Sequence, residues 1–556
     1  MQIQSAIKTL KIKHFSILIV FFFIFIFFNV KSQVRNCKYI VPLEQTNVDA
    51  NSLSLLPGDT VCIMAGKRQY LRFANFRGDS LKYIVIKNYD GEVVIENDDH
   101  YFGLSISNCS YFRLTGSADN SENFGIKILK TFKGASGLTI NNLSTNFEID
   151  HLEIANTGFA GIMSFSQPKC DGSSNRGNFV QRNVSIHDNY IHHTLGEGLY
   201  IGHSFYTGYT VDCFDKPEIL FPHEIKGLRV YNNVVDSSGW DGIQVGSANF
   251  DCEIYGNKIT NYGIANEKSQ NSGIQIGNGT TGKCYNNAIL NGSGTGISLF
   301  GTGNNILYNN LIVNAGQMGD SIDLLRGGYG IFCDDRATSE NMSYNFINNT
   351  IISPKTDGIR IYVDKSKNNK IINNLILNPG SYGLYKDLNQ SYLYYKSDEQ
   401  LFIVNNYFSQ IISPTIDINN IPKITDFTFS LPIINKGADV SVFGINFDFN
   451  RNGRIKDNIC DIGAFEFDSL TKAEVNNTKF KLYPNPNSGT FFVNNNNHDE
   501  IIKFSIKTIN GLMLYENLPL KANSVFIELK DVLNKGIYTI DIETINDRVI
   551  KKFIIN

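Results

Sequence analysis

The chain of 556 residues is poor in several residue types that mark common protein classes. It contains one tryptophan, six methionines and 13 prolines, and only 19% of its residues are charged. Lys and Arg (50) nearly cancel Asp and Glu (53), so the chain lacks the basic stripe that a nucleic-acid binder needs. Hydrophobic residues make up 42%, which excludes a disordered chain.

Asparagine is the residue in excess, with 67 of the 556 positions. Asn tolerates the left-handed backbone of a tight corner, and stacked Asn side chains form hydrogen-bonded ladders between repeated strands. The excess therefore indicates many tight turns, or a repeated position that favours Asn. It argues against a helical protein.

The N-terminal residues predict export. Lys8, Lys11 and Lys13 precede an apolar run over 15–28, and the small residue Ser32 follows it. This pattern is typical of a secretory signal peptide, here 1–32, and the run is shorter than the roughly 20 residues of a membrane span. We expect a mature chain without a transmembrane segment, in a compartment that allows its nine cysteines to form disulfides.

A unit of about 23 residues repeats through the middle of the chain. In each unit an Asn between apolar residues is followed by Gly-apolar-x-apolar, and in five units the Gly comes nine residues after the Asn. These pairs are Asn189 and Gly198, Asn233 and Gly242, Asn287 and Gly296, Asn349 and Gly358, and Asn374 and Gly383. Short alternating strands with Gly and Asn corners at a fixed period predict a solenoid of stacked rungs.

Over roughly residues 60–410 these units resemble the right-handed parallel β-helix repeat family. The resemblance implies an all-β solenoid in which every rung hydrogen-bonds to its neighbours. We expect the solenoid and its N-terminal cap to cover 33–410. A closing segment over 411–467 and a linker over 468–479 follow.

The closing segment contains the first half of a calcium-loop pattern. Asp448, Asn450 and Asn452 occupy its ligand positions and Gly453 follows them, but Ile459 stands where an EF-hand has glutamate. One interpretation is a Ca²⁺ site. The other is a plain turn of Asn and Gly.

The last region, 480–556, has the alternating pattern of a small β-sandwich. It resembles the C-terminal sorting domain of the type IX secretion system. The matching residues are Tyr483-Pro484-Asn485-Pro486, Gly489, Phe491, Gly536-Ile537-Tyr538 and the basic pair Lys551-Lys552. The resemblance implies that the type IX machinery exports the chain through the periplasm and outer membrane. The mature protein would then be secreted or held at the cell surface.

The Gly-apolar-x-apolar strands predict a groove. Their apolar residues face the core, and the residue between them faces outward. In successive units the outward residues include Tyr200, Gln244, Gln275 and Arg360. A column of hydroxyl, amide and aromatic groups suits an extended polysaccharide, so Gln244, Gln275 and Arg360 are candidate substrate-binding residues.

Glu197 and Asp241 precede the glycine in neighbouring units and form the candidate catalytic pair. Glycosidases use two carboxyl groups about 5–9.5 Å apart. Neighbouring rungs, spaced by about 4.8 Å, bracket that range. The alternative is a structural role for both residues, as corner carboxylates bonded to turn amides.

The competing reaction is β-elimination by a polysaccharide lyase. Tyr200 and His203 would then be the base and the acid. A lyase also needs positive charge beside the uronate carboxylate, for which Arg176, Arg360 or calcium are candidates.

Two consecutive units carry long insertions, each with one cysteine. If the two loops lean together, Cys170 and Cys213 form a disulfide. Insertions in repeat proteins collect on the working face, which favours a site near Glu197 and Asp241. Trp240, beside Asp241, is either a sugar-stacking platform or a corner plug.

We therefore expect an exported, monomeric β-helix protein that binds extracellular polysaccharide and cleaves glycosidic bonds by hydrolysis or β-elimination. The alternative is a non-catalytic adhesin or glycan-binding solenoid. No phosphate loop or nucleophile elbow is present, and calcium is the one metal that the sequence indicates. The motifs of the better-known lyase and polygalacturonase β-helices are not recognisable, so the fold leaves the reaction class open.

Overall fold

The computed structural model describes residues 37–117, 124–318, 327–380, 391–412, 416–418, 427–429, 433–455, 459–466, 480–495, 500–508, 513–517, 524–530, 533–544 and 548–555. The predicted signal peptide, 1–32, and the predicted linker, 468–479, lie outside these ranges. The chain divides into a larger unit, 1–452 with 461–465, and a smaller unit, 453–460 with 466–556. Within the described ranges, no helix is long and apolar enough to span a membrane.

The larger unit is a solenoid of parallel strands on three faces, which confirms the predicted all-β fold. Face A contains the Gly-apolar-x-apolar strands in a 12-stranded sheet, and faces B and C share a 23-stranded sheet. The face A strands are Asn47–Asp49, Leu71–Ala74, Phe102–Ser107, Ser136–Asn141, Ile162–Ser164, Leu199–Ile201, Ile243–Val245, Ile274–Ile276, Ile297–Leu299, Ile331–Cys333, Ile359–Ile361 and Leu393–Tyr394.

Faces B and C meet at the asparagine corner of each rung. The face B strands are Tyr39–Val41, Thr60–Arg68, Ile84–Glu96, Ser110–Thr115, Thr145–Asp150, Val180–His187, Glu224–Tyr231, Ala248–Tyr255, Gly282–Tyr285, Ile306–Tyr308, Asn345–Ile347, Asn369–Ile372 and Leu401–Val404. The face C strands are Ile126–Lys130, Leu152–Ala155, Tyr190–Thr194, Val234–Ser238, Lys258–Thr260, Ala288–Leu290, Leu311–Val313, Thr350–Ile352, Leu375–Leu377 and Tyr407–Ser409. Two early strands, Thr60–Arg68 and Ile84–Glu96, continue from face B into face C.

Stacked aliphatic side chains fill the solenoid. On face A, Ile243 and Val245 flank the outward Gln244 and are completely buried, and each such side chain contributes about 1.5–3 kcal/mol of burial free energy. The strand starts with a glycine because there is no room for a Cβ atom at that position. A Cβ on Gly242 would lie 2.5 Å from Ile259 Cγ2, on face C of the following rung, and 2.6 Å from the Gly273 carbonyl oxygen.

The asparagine excess has two structural causes at one corner. In seven rungs a buried Asn donates from Nδ2 to Oδ1 of the Asn in the next rung, at 2.9–3.1 Å. This ladder consists of Asn189, Asn233, Asn257, Asn287, Asn310, Asn349, Asn374 and Asn406. The residue before a ladder Asn is often a second Asn with left-handed backbone, such as Asn286 at φ 53° and Asn309 at φ 52°. Both predicted roles of asparagine are therefore confirmed.

A stack of tyrosines follows the same corner on face B. Tyr231, Tyr255, Tyr285 and Tyr308 lie face to face, with ring centroids 4.6–4.9 Å apart. The described part of the predicted closing segment packs against this corner. Asn309 Nδ2 donates to the Phe447 carbonyl at 2.8 Å, so the left-handed asparagines also hold that segment.

The remaining elements of the larger unit are short. The hairpin Tyr209–Cys213 with Lys216–Leu220 and the pair Ile416–Ile418 with Phe427–Phe429 are antiparallel. Among the described residues, the 3-10 helices are Ala50–Ser52, Asp335–Ala337, Asp398–Gln400 and Ser441–Phe443. A disulfide that the sequence did not predict joins Cys37 to Cys62.

The smaller unit consists of two antiparallel sheets over one core. The first sheet contains Phe480–Tyr483, Thr490–Asn495 and Ser524–Glu528, and the second contains Met513–Asn517, Ile501–Thr508, Gly536–Thr544 and Arg548–Ile555. Phe491 of the first sheet and Phe553 of the second are both buried in that core. This arrangement agrees with the predicted β-sandwich.

Candidate active site on face A

The outward column of face A has the predicted register. Tyr200, Gln244 and Gln275 are partners in three consecutive rungs. Glu197 and Asp241 occupy the position before the glycine in the first two of these rungs, where Gly198 N donates to the Asp241 carbonyl at 3.0 Å. The structure therefore places the candidate pair in adjacent rungs beside Tyr200 and Gln244.

The two carboxyl groups are removed from water. Glu197 is 2% exposed and Asp241 is 0% exposed. Because burial disfavours the charged form, it raises the pKa of Glu197 to about 7. Burial also raises the pKa of Asp241 well above its ordinary value, and the neighbouring Glu197 charge adds to that rise. The pair therefore retains a proton near neutral pH.

Each carboxyl group keeps one oxygen free. Asp241 Oδ1 accepts a hydrogen bond from Ser272 N at 2.6 Å. Within the described part of the chain, Asp241 Oδ2 and Glu197 Oε2 have no hydrogen-bond partner. A buried carboxyl oxygen without a partner is costly for folding, so this arrangement is available for proton transfer rather than needed for stability.

A hydroxyl and an amide extend the site towards a cavity. Ser204 Oγ lies 2.9 Å from Tyr200 Oη and accepts a hydrogen bond from Gln244 Nε2 at 2.6 Å. Ser204, Gln244, Gln275, Phe300 and other residues line a cavity of about 410 Å³. Gln244 Oε1 is buried without a partner among the described residues. Sequence reasoning missed Ser204 because it lies in an insertion, where the repeat predicts no position.

The two insertions, 165–179 and 202–223, are joined to each other. A disulfide links Cys170 to Cys213, with an S–S distance of 2.07 Å. Arg176 Nη2 donates to the Tyr206 carbonyl at 2.5 Å, and its guanidinium lies 3.8 Å from the centre of the Tyr206 ring. Arg176 thus connects the two loops, and none of its contacts with described residues involves the carboxyl pair.

His203 lies in the second insertion and contacts residues of both loops. Burial lowers the pKa of its imidazole to about 4, so the ring is neutral at pH 7. Its Nδ1 accepts from Phe205 N at 3.1 Å, and its Nε2 lies 3.3 Å from Gln167 Oε1. Both ring nitrogens are therefore occupied, and an acid role for His203 stays a prediction.

Arg360 lies in the same column but is distant from the pair. From Gln244 the register passes through Gln275, Ser298 and Phe332 before it reaches Arg360. Four rungs at about 4.8 Å correspond to about 19 Å. Arg360 Nε donates to Asp357 Oδ2 at 2.6 Å, and its guanidinium lies 4.0 Å from the centre of the Tyr394 ring.

Trp240 lies at the corner before Asp241 and is half-buried. Its ring packs edge-on against Phe159 with centroids 5.5 Å apart. Gly196 lies between them in the stack, since a Cβ there would come within 2.8 Å of the Phe159 ring. This packing is that of a corner plug, and sugar stacking on the exposed part of the indole stays a prediction.

The predicted calcium position is a hydrogen-bonded turn. Asp448 Oδ1 accepts from Asn452 N at 2.7 Å, and Asp448 Oδ2 accepts from Asn452 Nδ2 at 3.1 Å. The Asn450 side chain is exposed. Both carboxylate oxygens thus face amide donors, and calcium at Asp448, Asn450 and Asn452 stays a prediction.

A group that sequence reasoning missed has the donor atoms of a metal site. Atoms of Glu148, Asp150 and His187 lie within 4.8 Å of one another. Arg113 Nε lies 2.7 Å from Asp150 Oδ2 and 3.1 Å from Glu148 Oε1. Because the guanidinium already neutralises both carboxylates, the group is a satisfied ion-pair cluster that a metal would have to disrupt.

Comparison with known protein families identifies both units. Residues 223–408 match the right handed beta helix region, and residues 481–556 match the secretion system C-terminal sorting domain. The chain thus contains a right-handed parallel β-helix and a type IX sorting domain. The sorting domain indicates export to the cell surface or the extracellular space.

Several solved structures are similar to this chain at low identity. Pectate lyase Pel9A is 13% identical with a TM-score of 0.39, over 78% of this chain and 97% of that chain. The alginate lyase from Paenibacillus sp. str. FPU-7 is 15% identical with a TM-score of 0.34, over 66% and 99%. The GH136 lacto-N-biosidase from Eubacterium ramulus is 14% identical with a TM-score of 0.40, over 65% and 64%. These values carry no argument about reaction or substrate, and no curated protein matches the sequence.

Proposed function

We propose that this exported protein is a glycoside hydrolase that cleaves polysaccharide on face A, with Glu197 and Asp241 as its catalytic pair. The observation that carries the proposal is the burial of two carboxyl groups in adjacent rungs, each with a raised pKa and a free oxygen. A glycosidase needs one protonated and one ionised carboxyl group. Asp241 is completely buried, and the neighbouring Glu197 charge adds to the rise in its pKa, so we assign it as the proton donor and Glu197 as the base or nucleophile.

The neighbouring cavity supports the choice of a sugar as substrate. Its volume of about 410 Å³ falls within the range of about 300–1,000 Å³ that is usual for small-ligand pockets. Gln244 Oε1 is a free acceptor for a sugar hydroxyl, and Ser204 holds the Gln244 amide in place. Gln244 lines this cavity and lies three residues after Asp241, whereas Glu197 and Asp241 are not among the residues that line it.

Hydrolysis is favoured over β-elimination because a lyase needs a cation beside the uronate carboxylate. Arg176 is bound between the loops and Arg360 is paired with Asp357. Among the described residues, no arginine or lysine lowers the pKa of Glu197 or Asp241. An adhesin is disfavoured because the unpaired carboxyls are concentrated in the two rungs beside the linked loops.

The test is a product screen with the purified mature protein on neutral and uronate-rich polysaccharides. We expect new reducing ends without the ultraviolet absorbance of an unsaturated sugar. Unsaturated products would make the protein a lyase and overturn the proposal. Binding without any product would make it a glycan-binding protein.

A further inference from the structure

A second cavity lies on the opposite side of the rung from face A. It has a volume of about 590 Å³ and is bounded by the tyrosine stack and by residues 444–451 of the closing segment. Tyr255, Tyr285 and Tyr308 line one side, and Ile445 and Phe447 line the other. Two segments that are distant in sequence thus enclose a space large enough for one or two sugar rings.

Two cations in this cavity lack counter-ions. Lys258 and Arg451 both line it, and neither forms an ion pair with a residue that the structure describes. Nearby cations on face B are paired, since Arg229 Nε lies 3.8 Å and Lys283 Nζ 3.7 Å from Glu253. The two free positive charges within one concave site therefore attract an anion.

The other polar groups fit the hydroxyls of a sugar. The hydroxyls of Tyr255 and Tyr308 have no hydrogen-bond partner in the described ranges, and Asn286 Oδ1 is buried without one. The tyrosine rings are stacked on one another, so their faces are covered, and the Tyr285 hydroxyl donates to Glu253 Oε2 at 3.0 Å. A ligand is therefore held by charge and hydrogen bonds rather than by stacking.

We propose that this cavity is a second glycan-binding site, specific for a carboxylate-bearing sugar such as a uronate. The guanidinium of Arg451 presents the paired N–H donors that match a carboxylate. Lys258 adds a second positive charge, while the phenol hydroxyls and Asn286 bind the sugar hydroxyls. The site is independent of the carboxyl pair on face A and of any reaction there.

Titration calorimetry on the full mature protein tests the proposal. The ligands are galacturonate and glucuronate disaccharides and their methyl esters, which keep the shape of the acid and remove its charge. We expect at least one acid to bind at least tenfold more tightly than its ester. Arg451→Gln and Lys258→Gln should each weaken that binding at least fivefold, and the matched control Lys283→Gln should not.

Three results would overturn this assignment. The first is equal affinity for acid and ester, or no binding of either acid. The second is unchanged affinity in the Arg451→Gln/Lys258→Gln double variant. The third is loss of binding in Glu197→Gln with retention in that double variant, because the sugar would then occupy face A. The circular dichroism spectrum of each variant confirms that it is folded.

Discussion

Asp241 and Asp357 occupy the same position in two rungs of face A, and their surroundings differ in one respect. Both are buried, and both accept a hydrogen bond from the next rung, from Ser272 N at 2.6 Å and from Ser391 N at 2.8 Å. The second oxygen of Asp357 is bonded to Arg360, whereas that of Asp241 has no partner among the described residues. The rung position thus explains the shared corner bond, and the neighbouring side chain decides whether the second carboxyl oxygen is paired.

The largest expected effect tests this distinction through activity. Glu197→Gln or Asp241→Asn should lower kcat/KM for polysaccharide hydrolysis about 10³-fold, as loss of a general acid or base does. Asp357→Asn should lower it less than threefold because Asp357 is paired and about four rungs away. Reducing-end assays measure all three. If Asp357→Asn is as inactive as the other two, the comparison fails.

The second effect concerns stability and pH. The native state binds a proton at Glu197 more tightly than the unfolded chain does, since burial raises the pKa of this carboxyl from 4.5 to about 7. Stability should therefore fall as pH rises from about 4 to 8, by about 3 kcal/mol for this group. Burial of Asp241 acts with the same sign. Urea unfolding should show this slope, and Glu197→Gln should flatten it. An unchanged slope in the variant would contradict the assignment.

The third prediction concerns a variant in which the surroundings of Asp357 become like those of Asp241. Arg360→Gln removes the partner of Asp357 and leaves a buried carboxylate unpaired, as at Asp241. We expect a loss of about 2 kcal/mol of unfolding free energy in urea unfolding at pH 8, because an unpaired buried charge is costly. The Asp357→Asn/Arg360→Gln double variant should recover most of the loss, and no recovery would show that Arg360 acts through its ring contacts instead.

The smallest effect concerns the sugar contacts beside the pair. Gln244→Ala removes an amide hydrogen bond worth about 1 kcal/mol. We expect KM to rise about fivefold with kcat nearly unchanged. Thr139→Ala alters an outward position two rungs before Tyr200 and serves as the control. Equal KM values for both variants would show that Gln244 does not bind the sugar.

The recurring Gly-apolar-x-apolar phrase predicted the column of face A. It marks each of these strands whether the step from the Asn is nine residues or longer, so Tyr200, Gln244, Gln275 and Arg360 could be placed in register without a structure. The tyrosine stack was equally predictable, because Tyr231 and Tyr255 each precede a ladder Asn by two residues.

Other parts of the site could not be derived from spacing. Ser204, His203 and Arg176 lie in insertions, where no repeat sets their positions. The pairing of Arg360 with Asp357 depends on side-chain directions and competes with other partners. Glu197, Asp241 and Asp357 are all buried at the same rung position, but spacing does not show which of them lack a charged partner, so the raised pKa values of Glu197 and Asp241 could not be foreseen.

The side-chain amides of the asparagine ladder share one orientation along the solenoid axis. From Asn189 to Asn374, each side-chain amide donates to the ladder Asn on its C-terminal side, so the hydrogen bonds of the ladder all point the same way along the axis. Dipoles in such a line polarise one another, which makes a central member such as Asn287 worth more than the terminal Asn406. Replacing a central Asn of the ladder is therefore expected to weaken the Asn–Asn hydrogen bonds on both sides of it.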